Sequence, residues 1–132
     1  MEEYICKNSS NQKAFSICLH EFYFEIDRNG TISTVEYTLI RSVRLKKRGT
    51  RFTLIIHSDS ADYAITNRFY FLNGTYEDRS KKYTSFVQSF HARLQKRKKI
   101  NFYASSFWLA SFFNLRWARY DPNNIPADYL PS

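Results

Sequence analysis

Three histidines, His20, His57 and His91, and the carboxylates around them are the side chains best suited to proton transfer, yet they are too scattered to form a recognisable ligand or catalytic set. His91 follows Phe90 inside an apolar periodic run, the setting of a packing or boundary residue. Glu21 with Glu25, and Asp59 with Asp62, have the spacing of carboxylate pairs for general acid–base work, but they flank strand ends and turns, where acids are ordinarily solvated. No GxSxG, HExxH, Walker A or EF-hand pattern occurs. With only three Gly and three Pro, a glycine-rich phosphate cradle of the common kinds is excluded. Cys6 and Cys18 form no CxxC and no zinc-ligand set, and read as reduced thiols of a cytoplasmic protein. The expectation is a protein that is not an enzyme, with no catalytic residues, no metal and no cofactor.

The cations are patterned differently. Twenty Lys and Arg against twelve Asp and Glu give a formal charge of +8, which attracts polyanions. Fourteen of the twenty fall in two blocks. The first is Arg41, Arg44, Lys46, Lys47, Arg48 and Arg51, with no acid between Glu36 and Asp59. It straddles a hairpin tip, where two antiparallel strands can bring side chains together on an anionic group. The second is Arg79, Lys81, Lys82, Arg93, Lys96, Arg97, Lys98 and Lys99, and no acid occurs from Arg79 to Tyr120. Cations at a helix end meet the dipole favourably, which accounts for one or two of the last four but hardly for all. Beyond them, Ile100 to Leu115 is uncharged, with five Asn or Ser among sixteen residues. That is too short and too polar for a bilayer span, and fits an interfacial segment, an oligomer contact or a late piece of core. Phe107, Trp108, Phe112, Phe113 and Trp117 are its candidate interfacial or partner-binding residues, and Trp108, Trp117, Tyr103 and Tyr120 are of the types that prefer the headgroup layer.

These residues require a scaffold, and period-two alternation supplies it. Phe15, Ile17 and Leu19, then Phe22, Phe24 and Ile26, predict a strand over Ala14 to Asp27 with a bulge or bend near His20 and Glu21. Arg28-Asn29-Gly30 predicts a turn into Thr31 to Tyr37, and Arg48-Gly49-Thr50 a turn between Leu39–Lys47 and Arg51–His57. Strand follows over Asp62 to Ile65 and Arg68 to Leu72, as a pair or as one continuous strand. Tyr83, Phe86, Val87, Phe90 and Leu94 then keep the spacing of one helix face, with Ser80 as N-cap. The tail from Arg119 to Ser132 reads as irregular, docked through its Ile, Tyr and Leu. Residues 1–13 are expected to be an extension or first strand, 14–99 the domain, and 100–132 an aromatic segment with a Pro-containing tail.

Strands followed by one amphipathic helix resemble the bacterial pleckstrin-homology-like (PH-like) domains found in membrane-associated proteins. Ile40-Arg41-Ser42-Val43-Arg44-Leu45, Thr53-Leu54-Ile55-Ile56 and Tyr83-Thr84-Ser85-Phe86-Val87 carry the resemblance over roughly Ala14 to Arg97, and the ending from Asp121-Pro122 to Pro131 is similar to tails that follow membrane segments in such proteins. It implies a mostly β (α+β) fold, a bent antiparallel β-barrel or sandwich closed by a C-terminal helix. It also implies a scaffold for phosphoinositide headgroups, peptides or self-association. In lipid-binding eukaryotic members the basic signature lies in the first hairpin, whereas Arg28-Asn29-Gly30 is poor in cations, which tells against specific phosphoinositide recognition. The leading expectation is a cytoplasmic, peripherally membrane-associated binding module. It would meet an anionic lipid surface or a membrane protein through Lys96, Arg97, Lys98, Lys99 and the aromatic segment, oriented by the hairpin cations. Self-assembly into a homo-oligomer through the aromatic segment is the alternative, and nucleic-acid binding ranks third because no RNP-like motif or basic recognition helix is present.

Overall fold

A computed structural model describes residues 2–97, 99–106 and 118–131. The chain begins as an antiparallel meander of β1 (Glu2–Cys6), β2 (Phe15–Leu19), β3 (Tyr23–Arg28) and β4 (Thr31–Glu36). Its inner face is set by alternation. Tyr4 lies opposite Ile17, Cys6 opposite Phe15, Leu19 opposite Phe24 and Phe24 opposite Val35, all of them buried. The apolar phase change after Leu19 is therefore a reversal between two strands, not a bulge within one: the His20 N–H donates to Tyr23 O at 2.9 Å and closes the turn. The β3–β4 turn is the expected one. Arg28 pairs with Thr31, and Asn29 and Gly30 both take positive φ (55° and 90°), the geometry that matches the right-handed strand twist.

A second sheet holds β5 (Ile40–Arg48), β6 (Arg51–Ser58) and β7 (Asp62–Thr66), followed by a short ribbon of β8 (Arg68–Tyr70) and β9 (Tyr76–Asp78). Thr66 and Asn67 do not continue one strand, because the Asn67 side chain is consumed in the interior. Its Oδ1 accepts the Phe52 N–H at 3.0 Å while Nδ2 donates to Thr50 O at 3.0 Å and Ser80 Oγ at 3.1 Å. One buried amide thus ties the β5–β6 turn to the start of the helix.

That helix, α1, spans Ser80–Leu94 and buries Tyr83, Phe86, Val87, Phe90, His91 and Leu94. Its start is marked by Asp78, whose carboxylate accepts the Ser80 N–H at 2.9 Å, while the Ser80 hydroxyl is engaged with Asp78 as well. Ser80 is the first helical residue, not the cap. The rings form one core across all layers: Phe24 of the first sheet meets Tyr63 of the second edge-on at 5.8 Å and Phe90 of the helix at 6.1 Å.

After the helix the chain returns as β10 (Asn101–Ser106), parallel to β5, with β11 (Ala118–Arg119) antiparallel on its far side. Ile100, Phe102 and Ala104 enter the core, and Ile125, Tyr129 and Leu130 pack against it half-buried, as expected for a docked tail. The fold is mostly β with one helix. Among the described residues no ladder joins the four-stranded to the five-stranded sheet, so the architecture is sandwich-like and not a closed barrel. The sheets are not wholly antiparallel either. β5 leaves an open edge, and the chain that returns from the helix fills it in the parallel sense.

Candidate functional site

The first basic block is sorted by the β5–β6 ladder. Gly49 at φ 59° opens a two-residue turn, and Arg48 stands opposite Arg51, Lys46 opposite Thr53, Arg44 opposite Ile55. Directly opposed residues share a face and alternate ones change it, so Val43, Leu45 and Phe52 point into the core while Arg44, Lys46, Arg48 and Arg51 share the outer face. Lys47 takes the inner phase at the open end of the sheet, where its ammonium sits 5.5 Å from the Phe52 ring centre. Arg41, at the far end of β5, is exposed and paired with Asp59. Like charges directly opposite one another weaken a hairpin. The Arg48–Arg51 register therefore concentrates positive charge at some cost to the sheet.

Strand β10 extends this outer face. Tyr103 lies in register with both Arg44 and Arg119, and each guanidinium is 5.9 Å from its ring centre. The parallel register also sets direction: Asn101 pairs with Ser42 and Ser106 with Lys47. β10 ends its described pairing at Ser106, beside the basic hairpin tip, and β11 begins at Ala118, opposite Ala104. Both ends of the aromatic segment are thus anchored at the first basic block. Phe107, Trp108, Phe112, Phe113 and Trp117 themselves lie outside the described residues, as does Lys98.

The second block is divided. The Arg79 guanidinium bonds Glu77 at 3.2 Å, donates to Ile5 O at 2.8 Å and stacks 4.4 Å over Phe69, a structural use of the charge. Arg93 donates to His20 O and Ser89 O. Lys96 and Lys99 are exposed, and Arg97 lies 5.8 Å from the Tyr37 ring centre. Arg93, Lys96 and Arg97 line a cleft of about 650 Å³ with His20 and Phe22. Lys96, Arg97 and Lys99 precede β10, whose first residue pairs with Ser42, whereas the hairpin tip lies beside its last; at about 3.3 Å per residue the five steps between separate the two groups by roughly 16 Å. Directly after Lys99, Ile100, Phe102 and Ala104 are buried in the core. Tyr120 also has interior work, because its hydroxyl meets His91 Nε2 at 2.6 Å and its ring packs 5.6 Å from Phe102.

The other titratable groups are engaged in the scaffold. His57 pairs with Asp62, and His20 lies 3.7 Å from Glu25. Burial lowers the His91 pKa to about 4, so the ring is neutral: Nδ1–H donates to Val87 O at 2.7 Å and Nε2 accepts the Tyr120 hydroxyl. Burial pushes the Cys6 thiol up to about 12, and Cys6 and Cys18 point to opposite faces of the first sheet, both as free thiols. Among the described residues no group of three or more His, Cys, Asp or Glu is placed to hold a metal ion, and no helix is long and apolar enough to cross a membrane. Sequence reasoning missed Asn67, whose buried amide has no periodicity to betray it, and Arg119 and Tyr103 as neighbours of Arg44, a proximity created by the parallel pairing. Comparison with models of known protein families, with curated proteins and with solved structures found no match.

Proposed function

We propose that this protein is a non-enzymatic, PH-like binding module that docks on an anionic membrane surface with the β5–β6 tip foremost. The observation that carries the reading is the parallel register of β10 on β5, which roots both ends of the aromatic segment next to Lys46, Lys47, Arg48 and Arg51. The PH-like part is supported by a four-stranded meander, three further antiparallel strands and an amphipathic helix, to which the β8–β9 ribbon, β10 and β11 are additions. Cations near an anionic leaflet contribute about 1 kcal/mol each, so the four at the tip supply roughly 4 kcal/mol, about a thousandfold in partitioning. Trp108 and Trp117, close in sequence to the two anchored ends, are of the type that settles at headgroup depth. Lys96, Arg97 and Lys99 serve as a separate, orienting patch.

Co-sedimentation with phosphatidylserine-containing and purely phosphatidylcholine vesicles tests this. Binding is expected to the anionic vesicles alone, weakened by salt. Arg48→Glu with Arg51→Glu is expected to reduce it about a thousandfold, since at about 1 kcal/mol per charge two attractions are lost and two repulsions gained. Equal binding to both vesicle types, or to neither, would sink the proposal. Loss of a dimer on Trp108→Glu without any vesicle binding would point instead to self-assembly.

A further inference from the structure

Among the described residues, the β8–β9 turn carries a largely exposed apolar tip. Leu72 is 89% exposed and its neighbour Phe71 45%, with Tyr76 at 43% on the returning strand. Single exposed hydrophobes such as Phe22 and Ile32 are ordinary, but three on one small ribbon form a patch. The tip has a built turn. The Phe71 N–H donates to Thr75 O at 2.8 Å, the Gly74 N–H to Phe71 O at 3.1 Å, and Asn73 Oδ1 accepts the Thr75 N–H and hydroxyl, while Gly74 takes φ 87°. Leu72 is therefore presented on a defined turn.

The ribbon is locked beside the basic hairpin. Arg68 lies 4.0 Å from the Tyr76 ring centre, donates to Tyr70 OH at 2.8 Å and reaches across to Thr50 Oγ1 at 2.8 Å, in the turn between Arg48 and Arg51. No acid occurs from Arg68 to Tyr76 and Glu77 pairs with Arg79; Asp78 and Asp128 line the cleft that Lys47 and Arg68 share, and Lys47, Arg48, Arg51 and Arg68 outnumber them. An exposed apolar tip bordered by a local excess of cations matches the two requirements of an anionic bilayer surface, apolar insertion and electrostatic attraction. A neutral protein groove would match only the first.

We infer that the β8–β9 turn is a second bilayer-inserting element, with Phe71 and Leu72 entering the acyl boundary of the membrane that the β5–β6 tip faces. The inference rests on the membrane-docking reading above. It requires the apolar tip and the cations to act on one surface at once. Full burial of one such side chain corresponds to about a tenfold gain in partitioning.

The test uses the full chain with phosphatidylserine–phosphatidylcholine vesicles. Leu72→Ser is expected to bind about tenfold more weakly while unfolding at the same urea concentration, since the side chain is 89% exposed. A nitrobenzoxadiazole dye on Leu72→Cys, in a Cys18→Ser background, is expected to shift to the blue on these vesicles. Full binding by Leu72→Ser with no dye shift overturns the inference. If the wild type does not bind anionic vesicles, the docking proposal falls and this inference with it. If it binds, and Arg48→Glu with Arg51→Glu weakens it while Leu72→Ser does not, only the inference falls. A change in molecular mass for Leu72→Ser without vesicles also overturns it, because the tip would then be a contact between copies.

Discussion

Lowering the pH from about 8 to about 5 should destabilise this protein through one residue, His91. The imidazole is buried and neutral, with Nδ1 bonded to Val87 O and Nε2 to the Tyr120 hydroxyl, and burial lowers its pKa from 6.5 to about 4. A base whose folded pKa is depressed takes up its proton in the unfolded chain first. The stability it supports is therefore complete above pH 6.5 and lost as the pH falls from there toward 4. At about pH 5 the unfolded His is almost wholly protonated and the folded one about a tenth so, which makes the loss about 2 kcal/mol relative to pH 8. Urea unfolding at the two pH values measures it. The control is His91→Phe combined with Tyr120→Phe, which removes the titrating ring together with the hydroxyl that would lose its partner. The double variant should lose about 2 kcal/mol less than the wild type over the same interval, the other carboxylates and histidines being common to both. Equal losses in the two proteins would refute the reasoning, and would mean that His91 is accessible to protons in the folded state. A second consequence is mechanical: protonating His91 removes its acceptor for Tyr120, so the tail should loosen before the sheets do.

Two further outcomes follow from buried polar groups. Asn67→Ala leaves the Phe52 N–H without its acceptor and Thr50 O without its donor, and should cost about 2–4 kcal/mol in urea unfolding; a loss under about 1 kcal/mol would show that the junction of hairpin and helix is held otherwise. Tyr83 is fully buried, and among the described residues nothing bonds its hydroxyl, so Tyr83→Phe should leave the melting temperature unchanged or raise it. A marked drop would reveal a partner for that hydroxyl.

Much of the local structure was legible along the chain. The β5–β6 hairpin could be read because Phe52, Leu54 and Ile56 alternate on one face and Gly49 sits where the turn needs positive φ. The helix could be read because Tyr83, Phe86, Val87, Phe90 and Leu94 keep one stripe. The reversal at His20 was not, because a tight turn between two apolar strands and a bulge within one leave the same phase shift in the sequence. The start of the helix was misplaced by one residue for a related reason: Asp78 and Ser80 are both capping types, and only backbone geometry decides that Arg79 holds the N-cap position while Asp78 accepts the Ser80 N–H.

Alternation and helical spacing are properties of neighbours, and they alone determined that this protein is mostly β with one amphipathic helix, and that its charge is gathered in blocks. Which block stands beside the aromatic segment is a long-range question. In sequence that segment abuts Lys96 to Lys99, yet β10 carries the chain some six residues away and delivers it to the tip of a hairpin that was completed about fifty residues earlier. Strand pairing is chosen by which sheet edge is open and which apolar face must be covered. Tertiary structure therefore decided where the basic and aromatic surfaces meet, and it put Phe102 in the core and packed Tyr120 against it.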